Sequence, residues 1–121
     1  MMRQAGVALR VTVFVDGDIM WHHKPLYREI VHRAWKAKMA GATVMNGFEG
    51  FGAGGIVHTT RLLSMSENLP YIVVIVDFEP RIREFLPQIE ELLEEGTIVI
   101  DEVEMIRYVS KAHIARPPRA R

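Results

Sequence analysis

Apolar residues alternate with other residues near the start of the chain. From position 7 to position 15 every second residue is a valine or leucine, and Phe14 is the only large apolar residue between them. A period of two is typical of a strand with one buried face. Residues 71–76 predict a second and clearer strand, because all six are aromatic or β-branched and apolar.

Two other segments have the period of an amphipathic helix. The first is predicted to begin at Pro25, to bury Leu26 and Ile30, and to end at Gly41 as its C-cap. The second is predicted to begin at residues 79–80, with Asp77 as a candidate cap, and to end at Gly96. Its apolar side comprises Ile82, Phe85, Leu86, Ile89, Leu92 and Leu93.

The remaining strands are weaker in pattern. We expect one strand over residues 42–48, extended chain over 58–65, and a last strand over 97–109 that is bulged at 101–102. The resulting β-α-β-β-α-β order predicts an α+β, ferredoxin-like sandwich. Residues 1–110 would form this single domain, and the basic, proline-containing residues 111–121 would form a flexible tail.

Right-handed crossovers would place both helices on one face of the sheet and leave the other face open. Phe14 and the strand at 71–76 put large apolar side chains on that open face. An exposed apolar patch usually marks an interface, so self-association is expected. The alternative is that the tail or the glycine-rich loop folds over the face.

Composition excludes several classes of protein. The chain of 121 residues has no cysteine, which excludes disulfides, thiolate zinc sites and a cysteine nucleophile. Fifteen basic and fifteen acidic residues balance, so no electrostatic argument supports a nucleic-acid partner. No apolar run is long enough to cross a bilayer, and the first residues do not form a signal peptide. We therefore expect a cytoplasmic protein.

A glycine-rich loop carries most of the candidate chemistry. Five of the nine residues in 47–55 are glycine, and successive backbone amides in such a loop can form a nest for an anion. The loop matches neither a Walker sequence nor a dinucleotide fingerprint. A plain flexible hairpin loop explains the glycines equally well.

Three cationic or titratable residues precede the first helix: His22, His23 and Lys24. They could hold a phosphate near the helix N-terminus. With His58, the two histidines suggest an alternative function as a divalent-metal-binding trimer. No acid–base pair or nucleophile motif has a diagnostic spacing, so an enzyme is not expected.

Several motifs in order resemble the domain of unknown function 190 family, within the PII-like superfamily of nitrogen-regulatory proteins. They are His23-Lys24-Pro25-Leu26-Tyr27, Ala40-Gly41-Ala42-Thr43-Val44, Gly47-Phe48-Glu49-Gly50-Phe51-Gly52, His58-Thr59, Leu69-Pro70 and Ile75-Val76-Asp77. The resemblance implies a ferredoxin-like homotrimer that binds an adenine nucleotide in the clefts between subunits. Family members occur beside fluoride-channel domains, which implies a transporter or channel as partner.

The resemblance also implies a set of nucleotide-binding residues. These are Lys24, Thr43, Gly47, Gly50, Phe51, Gly52 and Arg107. Glu49 stands where PII proteins have lysine, and residues 95–98 lack their phosphate-binding Gly-Asp-Gly-Lys loop. Phosphate contacts would then come from Lys24 and from Arg107. The leading hypothesis is a trimeric sensor of AMP, ADP or ATP that signals through the loop at 47–61.

Overall fold

A computed structural model of the chain describes residues 1–59 and 69–110. Residues 60–65 of the extended segment expected at 58–65 lie outside these residues, as does the tail expected at 111–121. The elements are β1 (Met2–Asp16), β2 (Met20–Trp21), β3 (Lys24–Pro25), α1 (Leu26–Lys36), β4 (Gly41–Asn46), β5 (Glu49–Gly50), β6 (His58–Thr59), β7 (Pro70–Phe78), α2 (Glu79–Leu92) and β8 (Thr97–Val109). Neither described helix is long and apolar enough to cross a membrane.

Four strands form one antiparallel sheet in the order β4-β7-β1-β8. This order is the split β-α-β arrangement, and the prediction of a ferredoxin-like fold is confirmed. Short β2 pairs with β3, and short β5 pairs with β6.

The core lies between the two helices and one face of the sheet. Alternate residues of β1 and β7, among them Val11, Val13 and Ile75, are fully buried there. Both helices contribute the apolar sides expected from their period, and Ile30 and Ile82 are also fully buried. Each large aliphatic side chain buried in this way stabilises the fold by about 1.5–3 kcal/mol.

The first helix ends earlier than predicted. Gly41 is not its C-cap but the first residue of β4, since α1 ends at Lys36. The amide of Met39 donates to Ala34 O at 3.0 Å, and the amide of Lys38 donates to Trp35 O at 3.0 Å. These bonds form a Schellman motif in which Lys38, at φ 59°, occupies the left-handed position usually given to glycine.

The second helix also ends earlier, at Leu92 rather than at Gly96. Gly96 instead lies in the turn to β8, with φ +148° and a position where an added Cβ would lie 3.0 Å from Phe14 O. Asp77 is not the N-cap residue; Phe78 occupies that position. The prediction of a bulge at 101–102 is wrong as well, because β1 and β8 keep one continuous register from Met2↔Val109 to Phe14↔Thr97.

The first and last strands extend beyond the rest of the sheet. The pairing of β1 with β7 stops at Ala8↔Phe78, whereas its pairing with β8 continues to Met2↔Val109. Residues 2–7 and 104–109 therefore form a two-stranded ribbon past the edge of β7. Isolated two-stranded ribbons are marginally stable in water. This ribbon continues from the four-stranded sheet, and no third strand of the described residues pairs with it.

The face of the sheet opposite the helices is apolar and open within the described residues. Phe14 is 41% exposed, Met45 49% and Val99 46%. Near the middle of this face Arg10 donates two hydrogen bonds to Asp101, at 2.6 and 3.2 Å, and this partner raises the pKa of Arg10. The described part of the glycine-rich loop does not cover the face, since these side chains remain exposed.

Candidate functional site

The glycine-rich loop lies at the end of the sheet where four strands terminate. Asp16 at the end of β1 pairs with Pro70 at the start of β7, and Asn46 at the end of β4 pairs with Tyr71. A small cavity of about 50 Å³ opens between the loop and this end of the sheet. Its described lining is Phe14, Val15, Asp16, Ile19, Phe51, Gly52, Ala53, Pro70, Glu95 and Gly96.

Close packing explains why glycine begins this loop. The amide of Gly47 donates to Pro70 O at 2.8 Å, and a Cβ on Gly47 would lie 3.1 Å from Pro70 Cγ. Gly50 faces the same proline, with a hypothetical Cβ 3.4 Å from Cγ. The base of the loop is therefore fixed against Pro70, which joins it to the central strands.

Beyond this base the loop presents apolar side chains to solvent. Phe48 is 84% exposed and Phe51 is 71% exposed, and Ile56 and Val57 are also exposed. Exposed apolar clusters of this kind are typical of surfaces that contact a partner or a ligand. The structure thus brings Gly47, Gly50, Phe51 and Gly52 together.

Thr43 lies on the strand that leads into this loop. It pairs with Val74, is exposed, and belongs to the open apolar face of the sheet. Its hydroxyl is therefore on the same face as Phe14, on the edge strand of the sheet.

The charges around the loop cavity are negative. Asp16 and Glu95 are the charged side chains in its described lining, and a Cβ on Gly54 would lie 2.8 Å from Glu95 Oε1. A phosphate placed there would meet two carboxylates and no cation from the described lining. A polyanion would need positive charge from elsewhere.

Arg107 is too distant to supply that charge within one chain. It pairs with Gln4 in the ribbon, where its Nη1 donates to Gln4 Oε1 at 3.2 Å. Gln4 is ten residues along β1 from Phe14, which is about 34 Å at 3.4 Å per residue.

Lys24 is also not part of the loop cavity. Its Nζ lies 3.1 Å from Glu29 Oε1 and 5.3 Å from the centre of the Trp21 ring. It lines a different cavity, between the β2–β3 hairpin and the two helices, that shares no described lining residue with the loop cavity.

Comparison with known families identifies the group to which the chain is related. The model of domain of unknown function 190 (DUF190), described as an uncharacterized ACR family, matches residues 8–105. The chain belongs to the DUF190 family.

Relatives of this DUF190 protein occur in both bacteria and archaea. A UPF0166 protein of Aquifex aeolicus is 31% identical over 94 residues, covering 78% of this chain and 89% of the relative. A UPF0166 protein of Methanocaldococcus jannaschii is 32% identical over 87 residues, covering 70% and 72%.

Solved structures confirm the PII-like fold of the DUF190 protein. The nitrogen regulatory PII-like protein CPII of Thiomonas intermedia K12, bound to ADP and bicarbonate, has a TM-score of 0.58 at 13% identity, covering 84% of this chain and 91% of CPII. A putative PII-like signalling protein of Thermus thermophilus has a TM-score of 0.54 at 13% identity, covering 85% and 91%.

The histidines of the DUF190 protein lie in a hairpin that the sequence did not reveal. His22 (φ 47°) and His23 (φ 70°) form the two-residue turn between β2 and β3. Such turns usually contain Asn-Gly or Gly-Gly, so no familiar signal was present. Among the described residues no group of three potential ligands could hold a metal ion. The His58 side chain lies outside them, so the three-histidine site stays a prediction.

Two buried carboxylates of the DUF190 protein were not among the expected site residues. Asp77 accepts hydrogen bonds from the amides of Ala40 (2.9 Å) and Phe78 (2.7 Å) and from Arg81 Nε (2.9 Å). Glu29, only 5% exposed, lies between Lys24 and Arg33. Arg33 follows Glu29 by four residues on α1, and this helical spacing predicts their ion pair from the sequence.

Proposed function

We propose that this DUF190 protein is a PII-like sensor and not an enzyme. It binds an adenine nucleotide (AMP, ADP or ATP) in the cleft between two copies of the chain in a cytoplasmic homotrimer. The loop at 47–61, whose residues 60 and 61 lie outside the described part, changes its order on binding and signals to a partner such as a membrane transporter or channel.

The observation that carries this proposal is that the loop cavity is incomplete in one chain. Gly52 and Phe51 offer a backbone amide and an aromatic ring, but the charged side chains of the described lining are acidic. Thr43, on the strand that leads into the loop, lies outside this lining. Arg107 lies on the ribbon of β1 and β8 that extends past the end of β7. A neighbouring copy can place that ribbon, and Arg107 with it, beside the loop.

Two further findings support the proposal. The open face of the sheet exposes Phe14, Met45 and Val99, and self-association would bury them. The PII-like protein CPII, which has the same fold, has been solved with ADP and with AMP bound. At their low identity these structures supply the ligand class to test and not its binding residues.

Complementation between two variants tests the shared site. Gly52→Leu fills the cavity beside Asp16, and Arg107→Glu removes the proposed phosphate contact, so each variant alone should lose about tenfold or more in nucleotide affinity by calorimetry. Co-expressed in one oligomer, the two should recover part of the binding, because some clefts combine an intact loop with an intact Arg107.

The exposed Arg83 on α2 provides the control. Arg83→Glu should bind the nucleotide normally by itself. In a mixed oligomer with Gly52→Leu, nucleotide should bind only in those clefts whose loop comes from the Arg83→Glu chain. Failure of the mixed oligomer to bind would place Arg107 outside the shared site. Absence of heat from the wild type with AMP, ADP or ATP at millimolar concentration would overturn nucleotide binding itself.

A further inference from the structure

A second cavity lies in the helical layer. It has a volume of about 510 Å³ and lies between the β2–β3 hairpin and the groove formed by α1 and α2. This volume is within the range of small-molecule sites. Its described lining is Trp21, Lys24, Glu29, His32, Arg33, Lys36, Ala37 and Gln88.

The lining concentrates positive charge in a chain that is neutral overall. Lys24, Arg33 and Lys36 are cations, and Glu29 is the only carboxylate among the described lining residues. Glu91, from α2, approaches Arg33 Nη1 at 3.6 Å, but its side chain is 73% exposed. The cavity therefore attracts anions, in contrast to the acidic loop cavity.

Glu29 fixes two of the three cations in place and offsets one positive charge, so the described lining stays positive. Its Oε2 accepts from Arg33 Nε at 3.0 Å, and its Oε1 lies 3.1 Å from Lys24 Nζ. That second contact is an ion pair without hydrogen-bond geometry, so Oε1 is a buried oxygen without a hydrogen-bond donor. Two cations held by a buried carboxylate are preorganised, which lowers the entropic cost of binding a ligand.

Trp21 lies at the centre of this cluster. Lys24 Nζ and Arg33 Cζ lie 5.3 and 5.5 Å from the centre of its ring. Its neighbour His22 contacts it with ring centroids 4.2 Å apart. The indole therefore senses any change in the position or the charge of both cations.

We propose that this cavity is a binding site for a small phosphate-bearing molecule, held by Lys24, Arg33 and Lys36 beside Trp21. Arginine and lysine make charge-assisted hydrogen bonds with phosphate oxygens, and three cations suit a dianion better than a monocarboxylate. The site is independent of the nucleotide cleft, because the two cavities share no described lining residue.

Trp21 fluorescence provides the test. The chain has two tryptophans, so Trp35→Phe leaves Trp21 as the only indole. Inorganic phosphate, ribose 5-phosphate and sulfate are titrated separately; none carries an adenine base. We expect Trp21 fluorescence to change saturably with phosphate or with ribose 5-phosphate. Equal affinities would show that the phosphate group alone is recognised. Tighter binding of ribose 5-phosphate would show that the sugar contributes.

Matched charge reversals locate the site. Lys36→Glu should weaken binding by about tenfold or more, whereas Arg83→Glu, on the exposed side of α2, should change it by less than about twofold. Arg107→Ala should leave phosphate binding intact even if it abolishes nucleotide binding. Equal losses in Lys36→Glu and Arg83→Glu, no saturable signal with any probe, or binding of a polyglutamate peptide in place of phosphate would overturn the proposal.

Discussion

At the scale of single residues, Glu29 is a carboxylate buried in the helical layer and only 5% exposed. Burial alone would raise the pKa of its carboxyl, yet the hydrogen bond and charge of Arg33 and the close ion pair with Lys24 together hold that pKa below its ordinary value of 4.5. A depressed pKa means that the folded state favours ionised Glu29. The resulting stabilisation is complete above pH 4.5 and is lost as the pH falls through the lower folded-state pKa.

Glu29→Gln therefore changes the dependence of stability on pH. At neutral pH the variant should lose about 1–3 kcal/mol of unfolding free energy, because a neutral amide pairs more weakly with two cations. Below pH 4.5 the difference from the wild type should shrink. Urea denaturation from neutral to acidic pH measures the unfolding free energy of the variant and of the wild type, and the exposed Glu90→Gln serves as the control. Parallel profiles for the wild type and Glu29→Gln would contradict the argument.

Candidate site residues were only partly predictable at this scale. The glycines and Phe51 lie together as expected, because they are neighbours along one short loop. Lys24 was expected to serve the same site, but a pairing with Glu29 directs it into the helical cavity. The hairpin turn at residues 22–23 decides whether Lys24 contacts Glu29 or the loop site. That turn has no recognised sequence signal.

At the scale of elements, periodicity predicted which segments are helices and strands but not where they end. The end of α1 depends on Arg81, more than forty residues later, whose Nη2 donates to the carbonyls of Ala37 and Lys38 at 2.8 Å. Asp77 holds the same arginine through its Nε at 2.9 Å and also binds the amide of Ala40. A nonlocal clamp of this kind allows Lys38 to adopt a left-handed conformation, so a local search for glycine finds the wrong residue.

Arg81→Met should break this clamp between the two helices. Asp77 is only 3% exposed, and loss of its charged partner should cost about 2–4 kcal/mol of unfolding free energy. Arg83→Met, two residues along the same helix and exposed, should cost less than about 0.5 kcal/mol. Hydrogen exchange should also become faster at the amides of residues 38–40. Equal stability of the two variants would show that the clamp contributes little.

At the scale of the whole molecule, the alternation within each strand predicted an open apolar face, and the described residues retain it. The two-stranded ribbon was not predicted. Its residues mix apolar and charged side chains, and nothing in their pattern requires β1 and β8 to extend beyond the other strands of the sheet. In a monomer both features would leave apolar surface in contact with water. Each Å² of that surface costs about 25 cal/mol of free energy relative to burial. One assembly that covers the face and supports the ribbon would remove both costs.

Val99→Glu tests that assembly without altering the core. Val99 is 46% exposed on the open face and lines neither cavity among the described residues, so one folded chain should tolerate a carboxylate there. In an oligomer the charge would be buried against apolar side chains, which is strongly unfavourable. Sedimentation should show the wild type and Arg83→Glu at three times 13.8 kDa and Val99→Glu at 13.8 kDa, still folded by circular dichroism. A wild type that sediments as single chains would leave Arg107 roughly 34 Å from the loop, and the described lining of the loop cavity would then contribute no positive charge to a nucleotide site.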